Sequence, residues 1–238
     1  MEHLRVEGLS YRYDDGTEAL RNVSFSAGKG TCVCIAGSNG SGKSTLLEII
    51  ASCMKPSGGS VSIDGVPAGR SSASKTGIVF QEPDNQFFMP TVWEDVAFAV
   101  MKKGVSAETA RELALRALGL VDAEYLAHRP PYKLSGGEKQ RAAIASILIM
   151  ENEILLLDEP TAALDPRSRK NLIALIGNLR CTRIIASHDL NMMLDIADSV
   201  VFLNNGEVSA QSPVPGLLLD ENYLKGIGLE LPIGVKGS

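Results

Sequence analysis

"GSNGSGKST", residues 37–45, is the stretch on which the fold turns. A glycine, four residues, then Gly-Lys-Ser/Thr is the spacing of a phosphate-binding loop, provided a strand enters it and a helix leaves it. Both conditions hold here. "CVCIAG" at 32–37 is a short apolar run, and "STLLEII" at 44–50 has helical spacing. Glycines let backbone N–H groups close around an anion, and the helix N-terminus adds the positive end of its dipole. Gly37, Ser38, Asn39, Gly40, Ser41, Gly42, Lys43, Ser44 and Thr45 are therefore expected to cradle phosphate groups. Lys43 would reach the terminal phosphates, and the Ser44 hydroxyl would ligate Mg²⁺. The bland alternative is a glycine-rich turn with a chance lysine, and the flanking strand and helix argue against it.

Working outward, β-branched and apolar runs predict strands near 3–9, 21–27, 31–36, 60–64, 76–80, 153–158, 182–187 and 199–204. Helical periodicity predicts helices near 43–53, 92–101, 107–118, 137–150, 167–179 and 189–196. The early strands read as hairpins, with "DDG" at 14–16 as one turn signal and "NNGE" at 204–207 as another near the end. After Gly37, short apolar strands alternate with helices, which points to an α/β fold with a mostly parallel sheet covered on both faces. No convincing strand appears between about 91 and 151, so that block is expected to be a helical insertion. The last stretch, about 213–238, is a short tail, and the whole of 1–238 reads as one domain.

The chain has 238 residues, 45% hydrophobic and 21% charged, which is globular composition with enough length for a sizeable core. A net charge of −5 without any basic run argues against nucleic acid as a partner. The start, "MEHLRVEGLS", lacks the apolar stretch of a signal peptide. The longest apolar segment, "AAIASILIM", is shorter than the roughly 20 residues that span a bilayer. Work at a membrane would therefore proceed from its cytosolic face, through a partner. Cys32, Cys34, Cys53 and Cys181 are too scattered for a disulfide framework. The first two share a strand face without further metal ligands nearby, so they read as small apolar packing.

Three further motifs carry chemistry. "ILLLDEP" at 154–160 is an apolar strand ending in two carboxylates, at the edge where ligands bind in open α/β sheets. Asp158 is placed there to hold Mg²⁺ through water, and Glu159 to polarise an attacking water. "SHD" at 187–189 puts His188 at the end of another strand, on the same edge. Such a histidine is ordinarily a surface or capping residue, but its company favours a catalytic role. "LSGGEKQR" at 134–141 combines Ser135 with Glu138 three residues on, a capping box for the next helix. Gly136 and Gly137 expose backbone N–H groups at the same helix start, which makes it an anion site as well.

Taken in order, these motifs resemble the ABC ATPases, and the likeness covers nearly the whole chain. The resemblance implies a P-loop NTPase core with an antiparallel β subdomain and a helical insertion. It implies ATP and Mg²⁺ as ligands. Tyr13 would stack on adenine, although Tyr11 and Tyr13 share a strand face and only the spacing to "DDGTEAL" favours Tyr13. Gln81 would sense Mg²⁺ and the water, and His188 would contact the γ-phosphate. Ser135, Gly136, Gly137 and Glu138 would meet ATP held on a second ABC ATPase subunit, with "AALD" ending at Asp165 as a dimer contact. Many relatives carry glutamine at the position of Glu138. A carboxylate near phosphate is unfavourable, so Glu138 is expected to turn back toward its own backbone.

"FQEPDNQFF" followed by "TVWEDVAFAV" is similar to the ATPases of energy-coupling-factor and cobalt/nickel-type importers. That likeness implies a multispanning transmembrane scaffold subunit, a substrate-capturing membrane subunit, and a peripheral place on the cytoplasmic face of the membrane. Other members of the wider family serve other cargoes, or act as soluble regulators without a transport partner. Many of the importer group have a longer carboxy-terminal extension than the roughly 26 residues here. Pro83, Asp84 and Asn85 read as a turn, and Thr91 with Glu94 as a second capping box. Phe87, Phe88 and Met89 lie between them. They either pack beneath the next helix or line a groove for a helix of the membrane subunit.

Overall fold

The computed structural model describes residues 2–69, 75–82, 86–162 and 164–233. The turn expected at Pro83, Asp84 and Asn85, Ala163 of "AALD", and the last five residues of the tail lie outside the described residues.

Unbroken apolar runs build the central sheet. Its strands are β3 (Cys32–Ala36), β6 (Thr76–Val79), β7 (Ile154–Asp158), β8 (Thr182–Ser187), β9 (Ser199–Asn204) and β10 (Glu207–Pro213). They lie in the order β10-β9-β3-β8-β7-β6, and all neighbours are parallel except the β9–β10 hairpin. Strands buried on both faces need no alternation, which is why "CVCIA" and "ILLLD" read as continuous apolar runs. Successive residues then serve opposite cores. Cys32 and Cys34 face one cluster, and Val33 and Ile35 face the other. Both cysteines are buried and free, as small apolar packing requires.

A second sheet is antiparallel, in the order β2-β1-β4-β5, from β1 (Glu2–Arg12), β2 (Glu18–Gly28), β4 (Gly58–Ile63) and β5 (Val66–Pro67). Between the sheets lies α1 (Lys43–Ile50), whose Leu46, Leu47, Ile49 and Ile50 are buried. Each such side chain contributes about 1.5–3 kcal/mol by leaving water. His3 ties the sheets together at the opposite edge from the phosphate loop. Its imidazole is buried, with Nδ1 2.6 Å from the Thr182 hydroxyl and Nε2 3.2 Å from Glu153.

The other face of the central sheet carries α2 (Val92–Lys102), α3 (Ala107–Leu120), α4 (Gly136–Leu148), α5 (Pro166–Asn178), α6 (Leu190–Ile196) and α7 (Glu221–Gly226). The first three pack on one another and occupy the stretch read as a helical insertion. Three of these elements escaped the sequence pattern, the first being β5, only two residues long. β10 is an edge strand of alternating exposed and half-buried residues, and α7 is too short for a period to show. The "NNGE" hairpin forms, with Asn205 and Gly206 both at positive φ.

One capping expectation is corrected. Thr91 does not cap α2 through its side chain; its hydroxyl is bonded to the Glu94 carboxylate instead. The first helical N–H groups are satisfied by tertiary contacts: Val92 donates to the Arg129 carbonyl and Trp93 to that of Ala127. Those carbonyls arrive from a distant loop, and nothing local announces them.

Candidate functional site

The phosphate loop gets its shape from its neighbours. Gly42 has φ near +103°, and a Cβ there would stand 2.5 Å from the Ala19 carbonyl oxygen. The tip of the β9–β10 hairpin braces the loop from behind, where Gly206 donates to the Ser41 carbonyl. Gly42→Ala is expected to cost at least about 2 kcal/mol, which lowers the melting temperature of a domain this size by roughly 4–8 °C. Nucleotide binding should fall with it. Thermal unfolding combined with nucleotide titration checks both.

One cleft of about 480 Å³ gathers most of the candidate residues. Tyr13, Asn39, Gly40, Gly42, Lys43, Ser44, Thr45, Gln81, Asp158, Glu159 and His188 line it. Gly37, Ser38 and Ser41 of the same loop do not line it. The Lys43 ammonium donates to the Gly37 carbonyl at 2.9 Å and to that of Ser38 at 3.1 Å. The Ser41 hydroxyl is buried against Gly37 without a hydrogen-bond partner.

Glu159 is the hub. Its backbone has φ near +45°, an uncommon conformation for a residue with a side chain, and such strain collects at functional sites. The turn aims a buried carboxylate back into the cleft. The Ser187 hydroxyl donates to Oε2 at 2.9 Å, and His188 Nδ1 lies 2.9 Å from Oε1. Lys43 Nζ completes the set at 3.8 Å. His188 itself stays 61% exposed, so its ring faces the open cleft while one nitrogen holds the carboxylate.

Asp158 is buried with one carboxylate oxygen lacking any partner. Burial holds its pKa above the ordinary carboxylate value, against the opposing pull of the Ser44 hydroxyl and Lys43. An orphaned buried oxygen beside a hydroxyl is a donor set for a hard divalent cation, so these residues fit Mg²⁺. Gln81 is exposed at the far wall, beyond β6. The side chain of Gln86 pins that strand end: its carbonyl takes the Phe80 N–H and its amide meets the Ile78 carbonyl, each at 3.4 Å.

The two tyrosines separate by position. Tyr11 belongs to β1 and packs on the core beneath, while Tyr13 lies just past the strand in the turn. The Tyr13 ring is 40% exposed at the cleft, edge-on to Tyr11, and its hydroxyl is 2.8 Å from that of Thr45.

Other candidates lie outside this cleft. Ser135 caps α4 in a full capping box, and Glu138 returns to its own backbone by accepting the Ser135 N–H at 2.8 Å. Gly136 is exposed at this helix start. Gly137 lies against α5, where a Cβ would come 3.2 Å from Ser168. Asp165 is exposed and caps α5, accepting from the Arg167 and Ser168 N–H groups. Phe87 is half-buried against the main core, and Met89 is also half-buried. Phe88 is 63% exposed and packs edge-on to Phe98, with ring centroids 4.6 Å apart. Buried Asp95 accepts the N–H groups of both Phe88 and Met89 at 3.0 Å, which fixes this step in the chain.

Sequence reasoning missed Thr17, Glu18 and Ala19 on the cleft wall, Ser187 as a partner of Glu159, and the Arg169–Asp189 pair. Ser187 had a signal, since it precedes His188 at the same strand end. The Arg169–Asp189 pair joins elements 20 residues apart and has none.

The sequence profile of the family described as "ABC transporter" matches residues 20–162. A protein of Gloeobacter violaceus, itself assigned only provisionally to the ABC transporter ATP-binding proteins, is 43% identical over 242 residues, 99% of each chain. The energy-coupling factor transporter ATP-binding protein EcfA of Methanothermobacter thermautotrophicus is 40% identical over 96% of this chain and 76% of its own. Among solved structures, cbiO1 of Clostridium perfringens, part of the transporter complex cbiONQ, superimposes with a TM-score of 0.83. It is 34% identical and covers 96% of this chain and 95% of its own. The dimeric cassette MJ0796 bound to ADP and Pi has a TM-score of 0.80 at 31% identity, over 90% of this chain and 99% of its own.

Proposed function

The chain belongs to the ABC transporter family of ATP-binding proteins, and from that premise we propose that it is the ATP-hydrolysing subunit of a membrane importer of the energy-coupling-factor or cobalt/nickel type. One arrangement carries the catalytic part: the buried Glu159 carboxylate, held between Ser187, His188 and Lys43 at the mouth of the phosphate loop. The likeness to EcfA and cbiO1 supports the importer type.

On this reading the adenine rests on the Tyr13 ring, and residues 37–45 wrap the phosphates. Ser44, Gln81 and Asp158 would hold Mg²⁺, Asp158 through water. When bound, Mg²⁺ neutralises charge on the β- and γ-phosphate oxygens. Glu159 orients a water and takes its proton as the water oxygen bonds to the γ-phosphorus. The bond to the bridging oxygen breaks, and ADP carries away the electron pair. Lys43 and His188 stabilise the charge on the γ-phosphate oxygens, so catalysis here is mainly positioning and electrostatics. A second ATPase subunit supplies Ser135, Gly136 and Gly137 to this nucleotide, and Asp165 lies at the joint between the two subunits. Residues 91–151 act as the helical subdomain, and the short tail after 213 joins the core through Leu218, Leu224 and Leu229.

Phe88 marks the docking face. A large apolar side chain held out in water by a rigid step, beside a second aromatic ring, suits an apolar helix of a membrane scaffold. Phe87 and Met89 would support that groove from beneath. Among the described residues no helix is long and apolar enough to cross a membrane, so the place on the cytoplasmic face would depend on this contact. Phe88→Asp is expected to leave ATP binding by the isolated chain unchanged and to reduce assembly with the scaffold at least about tenfold. Isolation of the complex from membranes checks this, and loss of folding in the variant would return Phe88 to the core. The importer reading itself predicts that the unaltered chain co-purifies with a multispanning subunit and a substrate-capturing one. Recovery of the chain without membrane partners would contradict it.

A further inference from the structure

The start of α4 carries more negative charge than a phosphate site can easily use. A helix N-terminus offers about half a positive charge, and it serves whichever anion comes first. In this chain Glu138 already takes it: its Oε2 receives the Ser135 N–H at 2.8 Å and the Ser135 hydroxyl at 2.9 Å. A phosphate arriving at Ser135 and Gly136 would face that carboxylate and find the hydroxyl proton engaged.

Arg129 meets the charge. Its guanidinium donates to Glu138 Oε1 at 3.0 Å, and the Tyr125 hydroxyl reaches the same oxygen at 3.4 Å. Burial alone would raise the Glu138 pKa, yet the Ser135 bonds and Arg129 bring it below the ordinary value. The arginine is held in place by its backbone. Its N–H donates to the Leu126 carbonyl at 2.8 Å, and its carbonyl accepts the first helical N–H of α2, from Val92, at 3.1 Å. It is therefore anchored to α2 while its side chain stays nearly half exposed beside Glu138.

We propose that Arg129 is a positioning residue for the anion site at the start of α4: it holds the Glu138 carboxylate and cancels its charge, so that Ser135 and the first N–H groups of α4 present an attractive face to the terminal phosphate of a nucleotide on a second copy of this chain. This rests on the two-subunit reading above. A glutamine at position 138 would not need such a partner. The arginine is therefore tied to the carboxylate that this chain carries at position 138.

The test is a double-mutant cycle. ATP-driven pairing is followed by light scattering in chains that also carry Glu159→Gln, to prevent turnover. Arg129→Ala is expected to raise the ATP concentration needed for pairing about tenfold. With Glu138→Gln also present, the same substitution should cost less than about twofold. The tenfold cost should shrink in 1 M salt, where charges are screened beyond about 3 Å. Equal costs in the two backgrounds, or no cost in the first, would overturn the proposal. Loss of ATP binding by the Arg129→Ala monomer would also overturn it, because the residue would then be holding the fold. Failure of every background to pair with ATP, including the one with Arg129 intact, would overturn the two-subunit reading and this proposal with it.

Discussion

Glu159→Gln is expected to lower ATP turnover by about 10²- to 10⁴-fold while ATP remains bound. The glutamine amide has the shape of the carboxylate, and its oxygen can still accept from the Ser187 hydroxyl, which lies 2.9 Å from Glu159 in the native site. The turn at positive φ is unchanged, so the side chain still points into the cleft. The lost feature is the capacity to take a proton from water. Removing a negative charge 3.8 Å from the Lys43 ammonium also takes away one competitor of the phosphates for it. Affinity for ATP should therefore hold or rise as turnover falls. Phosphate release and nucleotide titration measured on the same preparation separate these two effects.

Lys43→Ala should fail in the opposite way. The residue is 6% exposed, and its ammonium bridges the Gly37 and Ser38 carbonyls to the Glu159 carboxylate. Truncation leaves a buried carboxylate and two carbonyls without their cation, a change that costs about 3–5 kcal/mol. ATP affinity is expected to drop by about 10²-fold, because the lost charge-assisted bond to phosphate is worth up to about 3 kcal/mol and 1.4 kcal/mol corresponds to a tenfold change. Turnover then falls because the nucleotide is not held. Titration with a fluorescent nucleotide distinguishes this from the Glu159 variant, which binds without hydrolysing. Unchanged affinity in the Lys43 variant would remove the lysine from the phosphate site.

Much of this was legible because the relevant signals are local. The phosphate loop announces itself through its glycines, and at Gly37 and Gly42 a Cβ would collide with a backbone carbonyl. The central strands show as unbroken apolar runs because both of their faces are covered. Ser135 and Glu138 declare their capping box three residues apart. Long-range partners are illegible by the same logic. Thr91 has the sequence of a cap, yet carbonyls from Ala127 and Arg129 do its work. Arg169 and Asp189 form a bidentate pair at 2.7 Å that holds the segment after His188. Neither residue type nor spacing foretells that pair. Thr17, Glu18 and Ala19 join the cleft only because the turn after Tyr13 folds back over the loop. β10 needs β9 to exist, since its own residues bury only every second side chain, and those only halfway.

On the proposed reading, Glu159 serves hydrolysis in a sandwich of two subunits closed by ATP. Light scattering on the Glu159→Gln chain with Mg²⁺ and ATP, compared with the same chain with ADP, tests it most directly. A doubling of mass is expected with ATP and not with ADP. A chain that binds ATP at this site yet keeps the mass of a single subunit would contradict it.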